Sequence, residues 1–210
     1  MYRRTGALLF KTTQVASRPS HAYTGRMDMT GIVSLSLWMI VPLITLGSLL
    51  HFLYDWTGQK RWAAVIGAVN ESYWEHIKIA VWPVVLLQVT LFALGGYHHP
   101  AFIPAATVAI YSLPISMIGI VWLYKAFTKR NILWLDITVF AIVIVLAQLI
   151  FIQLLQQLQA DRLTVILSVP YLLGIIGAFF RFSLKPPAEP DVFVDPITDE
   201  YGIEGHTHHH

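Results

Sequence analysis

Between residues 51 and 78 the chain reads HFLYDWTGQKRWAAVIGAVNESYWEHIK, which gathers His51, Asp55, Glu71, Glu75, His76 and Lys78. Residues 29–182 hold five acids, and three of them fall in this stretch, beside a histidine that lies inside an apolar run. Neutral imidazoles and carboxylates together can bind a divalent metal such as zinc, or relay a proton without one. On a continuous helix His51 and Asp55, four apart, share a face, as do Glu71 and Glu75. Burying such groups singly in hydrocarbon is costly. The expectation is therefore that His51, Asp55, Glu71, Glu75 and His76 converge in one polar pocket, which is the candidate catalytic or binding site.

The same residues have a plainer explanation. Asn70 or Ser72 can cap a helix, Ser72 with Glu75 fits a capping box, and acids suit the positive end of a helix dipole. That covers Glu71 and Glu75 but leaves His51 and its pairing with Asp55 unexplained. Asp136 can join the cluster or simply open its own helix. His98 and His99, in the turn GGYHHP, read as solvated, and Gln148, Gln153, Gln156 and Gln157 read as partners in helix-to-helix or interfacial hydrogen bonds.

The elements that must position these groups follow from composition. Of 210 residues, 56% are hydrophobic and 12% charged, about half the charge of an ordinary soluble domain. The mean hydropathy is +0.60. So few acids cannot cover a water-facing surface, and lipid is the implied solvent. The absence of cysteine excludes disulfides, thiolate metal sites and cysteine nucleophiles. A formal charge of +2 with no basic, aromatic-interleaved stripe gives no sign of a nucleic-acid partner. The implied partner is the bilayer, with any protein partner unspecified.

About 20 apolar residues in helical form cross a bilayer, and five segments qualify, near residues 32–54, 74–96, 102–124, 133–157 and 163–182. Backbone groups cannot stay unpaired in hydrocarbon, and the runs are too long for barrel strands. The expected fold is thus an all-α, polytopic transmembrane bundle of about five spans. Residues 62–69, WAAVIGAV, are too short to cross and read as an interfacial or re-entrant segment. Pro42, Pro83, Pro104, Pro114 and Pro170 predict kinks in every span but the fourth, and Gly174, Gly177 and Ala178 offer a small packing face. Tryptophans and tyrosines near the span ends, Trp56, Trp62, Trp122 and Trp134 among them, suit the headgroup level.

Residues 1–28 form a basic leader, read either as a transit peptide or as sequence upstream of a start at Met27 or Met29. Counted from Met27, the first and third loops and the C-terminal side carry Lys60, Arg61, Lys78, Lys125, Lys129, Arg130, Arg181 and Lys185 against Arg162 alone. The positive-inside rule then places the N-terminus outside and the C-terminus in the cytoplasm of a multi-pass cell-membrane protein. From Ser183 the chain turns rich in proline and acid, which predicts an extended, disordered tail that the bundle does not need. It ends in GHTHHH, a tract more typical of a solvated tail than of a metal site.

The histidine-and-acid end HFLYDWTG followed by NESYWEHIK resembles a family of small bacterial multi-pass membrane proteins of unassigned function. The resemblance implies five or six helices and brings no reaction. Ser48, His51 and Asp55 also resemble part of the zinc site of the ceramidase and progestin-receptor superfamily of membrane hydrolases. That superfamily needs a late-helix H-x-x-x-H pair, and the third to fifth spans here contain no histidine. Three functions follow as alternatives: an enzyme with a pocket at the cytoplasmic boundary, a small proton-coupled transporter, and a non-catalytic factor that binds a protein or lipid.

Overall fold

The computed structural model describes residues 27–130, 132–187, 191–196, 199, 202 and 203. The basic leader before Met27 and the terminal histidines lie outside them. Among the described residues the chain is helical: α1 (Met29–Trp38), α2 (Ile40–His51), α3 (Leu53–Trp56), α4 (Arg61–Ile66), α5 (Tyr73–Ala93), α6 (Phe102–Thr128), α7 (Leu133–Gln157) and α8 (Arg162–Leu184). Four of these, α5 to α8, are long and apolar enough to cross a membrane. A fifth crossing is made if α1 and α2, bent by 47°, count as one.

The bend has a local cause. Pro42 has no N–H to give the carbonyl of Trp38, four residues back, and its ring crowds that carbonyl, so the helix breaks at Met39. Pro83, Pro114 and Pro170 sit inside α5, α6 and α8, which continue through them. Asp28 caps α1 and Asp161 caps α8, each accepting from a backbone N–H three residues on. The hydrogen bonds from Thr164 hold the Asp161 carboxyl below the usual carboxylate range.

Packing closes the bundle around α5, α6 and α7. Phe102 meets both Phe92 (5.7 Å between rings) and Phe151 (5.2 Å), which ties three helices together at the end remote from the site. One turn away, Gln88 and Gln148 are buried with no hydrogen-bond partner for either amide atom among the described residues. Gln148 thus makes no helix-to-helix hydrogen bond there, contrary to the reading of its sequence. Nearer the site, Gly47 lets α2 approach the Ile79 carbonyl of α5 and the Phe140 ring of α7.

The short apolar segment is α4, a helix of six residues followed by a buried return through Gly67, Ala68, Val69 and Asn70. The described part of the tail also differs from what its composition suggests. Helix α8 runs on to Leu184, residues 191–193 form one 3₁₀ turn, and Phe193 and Asp195 are buried against the bundle. Acid and proline set the average character of this segment, but the run Val192, Phe193 and Val194 supplies an apolar patch that can be buried.

A Cβ at Gly47 would lie 2.6 Å from the Phe140 ring and 2.8 Å from the Ile79 oxygen, whereas one at Gly174 meets nothing within 4 Å. Gly47→Val should therefore destabilise the detergent-solubilised protein by about 1–3 kcal/mol, and Gly174→Ala should leave its melting temperature unchanged.

Candidate functional site

Three elements meet at one end of the bundle: the last turn of α2, the return after α4 and the first turns of α5. The return is the difficult part, because it buries backbone groups that no helix or strand pairs. Backbone groups of α4 and of the return find partners on α2 and α5. Lys78 Nζ donates to the Ala64 carbonyl at 2.7 Å, Trp82 Nε1 to that of Val65 at 2.9 Å, and the Ala68 N–H donates to the Leu50 carbonyl at 3.3 Å. The Val69 N–H donates to Glu75 Oε2 at 2.9 Å.

Glu75 Oε2 also lies 2.5 Å from Lys78 Nζ, and both side chains are almost fully inaccessible. This ion pair on one turn of α5 therefore holds both ends of the stretch from Ala64 to Val69. The expected capping box is not formed. Ser72 stands at the N-cap of α5 with no side-chain cap hydrogen bond, and Glu75 turns away from it to Val69 and Lys78.

Glu71 has a different fate because α5 begins only at Tyr73. It precedes the cap, does not share a helix face with Glu75, and projects toward the end of α2. There Glu71 Oε1 lies 3.4 Å from His51 Nε2, and Glu71 Oε2 lies 3.7 Å from His76 Nε2. The two imidazole rings are 5.5 Å apart, and the three side chains are between a fifth and a little over a third exposed. One donor atom from each of His51, Glu71 and His76 lies within 4.8 Å of the others.

The tautomer of His76 follows from its partner. Its Nδ1 is 2.9 Å from the Ser72 carbonyl oxygen, which can only accept, so Nδ1 carries the proton. Neutral His76 then presents the Nε2 lone pair to a carboxylate, and two acceptors facing each other need a proton or a cation between them. A metal-bound histidine is commonly oriented in this way, by donating its other N–H to a backbone carbonyl. His51 is less constrained, since its buried Nδ1 has no partner among the described residues.

The five residues singled out in the sequence thus divide. His51, Glu71 and His76 converge, Glu75 is taken by Lys78, and Asp55 is exposed on α3. The helix-face argument for His51 and Asp55 fails because α2 ends at His51 and a new short helix starts beyond Phe52. Ser48 donates to the Ile44 carbonyl of its own helix. A Ser, His and Asp ligand set of the ceramidase kind is therefore not assembled. Asp136 accepts from the Tyr124 hydroxyl, and His98 lies at the opposite end of the bundle against Tyr97.

Lys78 stood in the same stretch of sequence but was not assigned to the pocket, although its place three residues after Glu75 in an otherwise apolar helix was a sign of pairing. Asp195 is wholly inaccessible and accepts from the Glu71 N–H at 3.2 Å. Its only signal was the apolar run beside it.

The fold and site define a helical membrane-type protein with a histidine and carboxylate cluster at one end of its bundle. The chain belongs to the family of unknown function DUF6512, whose model matches residues 27–203. No curated protein and no solved structure matches it.

Removing one partner of the buried pair should be severe. Lys78→Met leaves the Glu75 carboxylate buried beside Val69 alone and should cost about 3–5 kcal/mol. Adding Glu75→Gln to it should recover a large part, since an amide oxygen still accepts from Val69. Denaturant unfolding of the two variants in detergent measures the difference.

Proposed function

We propose that this chain is a membrane protein that binds one divalent metal, zinc by its donor set, through His51, Glu71 and His76. The observation that carries the reading is the convergence of two imidazoles and one carboxylate, with His76 already oriented by Ser72. In a tetrahedral site with bonds of about 2.0–2.1 Å, neighbouring donors sit roughly 3.3 Å apart. The two Glu71 oxygens lie 3.4 Å from His51 Nε2 and 3.7 Å from His76 Nε2, and a set of one donor from each residue lies within 4.8 Å, so its widest pair draws in by at most roughly 1.5 Å. Imidazole nitrogen favours zinc over magnesium or calcium. Three protein ligands at a partly exposed site leave a coordination position for water, the arrangement of a catalytic rather than a structural metal. An enzyme working at the membrane boundary is the function this supports best.

The transporter reading has less behind it. Buried residues of α5 between His76 and Gln88 are apolar apart from Lys78, which is committed to Glu75, and those of α7 between Asp136 and Gln148 are apolar throughout. No polar file links the site to the two buried glutamines among the described residues.

The reading places this end of the bundle in the cytoplasm, because the eight basic residues counted from Met27 lie on its side and Arg162 lies on the other. The natural chain has no cysteine, so single cysteines report cleanly. With an impermeant maleimide on intact cells, His98→Cys should be labelled, and Ala126→Cys should react only after permeabilisation. The opposite pattern reverses the orientation.

Metal binding is tested on the full-length protein in detergent with His206, His208, His209 and His210 replaced by Ser, so that the terminal tract cannot contribute. Zinc competition against a chromophoric chelator should give one site per chain. Cobalt should give tetrahedral d–d absorption, and His51→Ala, Glu71→Ala and His76→Ala should each weaken binding at least roughly tenfold. Equal zinc affinity in all three variants would sink the proposal and favour a metal-free proton relay.

A further inference from the structure

Glu71 is the residue shared by both histidines, yet it belongs to no helix. Its backbone is held from a part of the chain more than 120 positions away. The Glu71 N–H donates to Asp195 Oδ2 at 3.2 Å, and the side-chain amide of the preceding Asn70 donates to the Gly202 carbonyl at 3.1 Å. Asn70 Oδ1 in turn accepts from the Ser72 N–H at 3.0 Å, so the turn around Glu71 is fixed on both sides.

The segment that supplies these contacts is itself anchored. Phe193 is buried, with its ring 4.8 Å from that of Trp74 and 5.6 Å from that of Phe182. Trp74 stacks on Phe179 at 4.6 Å. A carboxylate as deeply buried as Asp195 is costly unless it is hydrogen-bonded, and one of its bonds goes to the backbone of the central ligand.

We propose that residues 191–196 of the C-terminal segment, with Gly202, are a clamp that positions Glu71, with Asp195 as its positioning residue and Phe193 as its anchor. The proposal deepens the metal reading and rests on it for its effect on the site. Its own content is that the tail sets where Glu71 lies. Without Asp195 the Glu71 N–H loses the bond that ties this turn to the C-terminal segment, and the Glu71 carboxylate leaves the reach of the two imidazoles.

The test uses the full-length protein in detergent, again with the four terminal histidines replaced by Ser. Two readouts are taken: hydrogen exchange of the peptide covering residues 69–76, and zinc affinity. Asp195→Leu should raise exchange at residues 70–72 at least tenfold and weaken zinc roughly tenfold. Asp195→Asn, which keeps an acceptor for the Glu71 N–H, should restore most of both. Phe193→Ala should act in the same direction through the anchor, and it serves where Asp195→Leu does not fold. His51→Ala should weaken zinc binding at least roughly tenfold without raising exchange at residues 70–72.

Unchanged exchange in both Asp195→Leu and Phe193→Ala overturns the clamp. Raised exchange with unaltered zinc affinity overturns the positioning role. If the parent protein binds no zinc, the metal reading fails by itself, and exchange at residues 70–72 alone decides whether the tail holds Glu71.

Discussion

The buried ion pair between Glu75 and Lys78 is the interaction on which the site end of this molecule depends. A short helix that enters the bundle and returns must bury peptide groups in a place with no water to satisfy them. Lys78 takes the Ala64 carbonyl inside the short helix and Glu75 takes the Val69 N–H in the return, while the two charges neutralise each other across one helical turn. A hydrophobic pair of the same size would pack there but could not end two backbone chains at once. The pair also sorts the acids. By holding Glu75 inside, it leaves Glu71, four residues earlier and outside the helix, as the carboxylate available to the histidines.

The bundle is not equally firm throughout. At the site end, α8 is gripped by ring contacts of Trp74 with Phe179 and of Trp82 with Phe180, and Ser183 lies near the Val65 carbonyl. Over its most apolar stretch, only 11% of α8 is buried inside the protein. Toward its start, a groove of 790 Å³ runs along its contact with α6, lined by Thr107, Tyr111, Leu167 and Ser168 and bridged by the Tyr111 hydroxyl, which donates to the Tyr171 carbonyl. In water such a helix would be an unstable arrangement. In a bilayer the lipid chains are as apolar as the leucines they meet, so loose packing on that side costs little.

The all-helical class was legible in the sequence because apolar length is a local property. The bend at Met39 was half legible, since Pro42 announced a kink but not its angle. The convergence of His51, Glu71 and His76 was foreshadowed by the density of ionisable groups, which hydrocarbon forces together. What could not be read was the division of labour between Glu71 and Glu75. Spacing of four suggests a common face only if one helix contains both, and α5 starts between them. Asp55 was misplaced for the same reason, a helix end one residue after His51. Asp195 was hidden by averaging: six acids and four prolines after Ser183 describe a solvated segment, while three apolar residues within it decide where it lies.

The hydrogen bond between Asp195 and Glu71 also sets an order of events during biosynthesis. His51, Glu71 and His76 leave the ribosome early, within the first 76 residues, and Asp195 follows about 120 residues later. At ordinary elongation rates that interval is on the order of ten seconds. For that time the half-built chain holds both imidazoles and Glu71 without the contact from Asp195. A chain that stalls before the last helix has emerged carries all three side chains of the cluster and lacks the Asp195 contact to the Glu71 backbone.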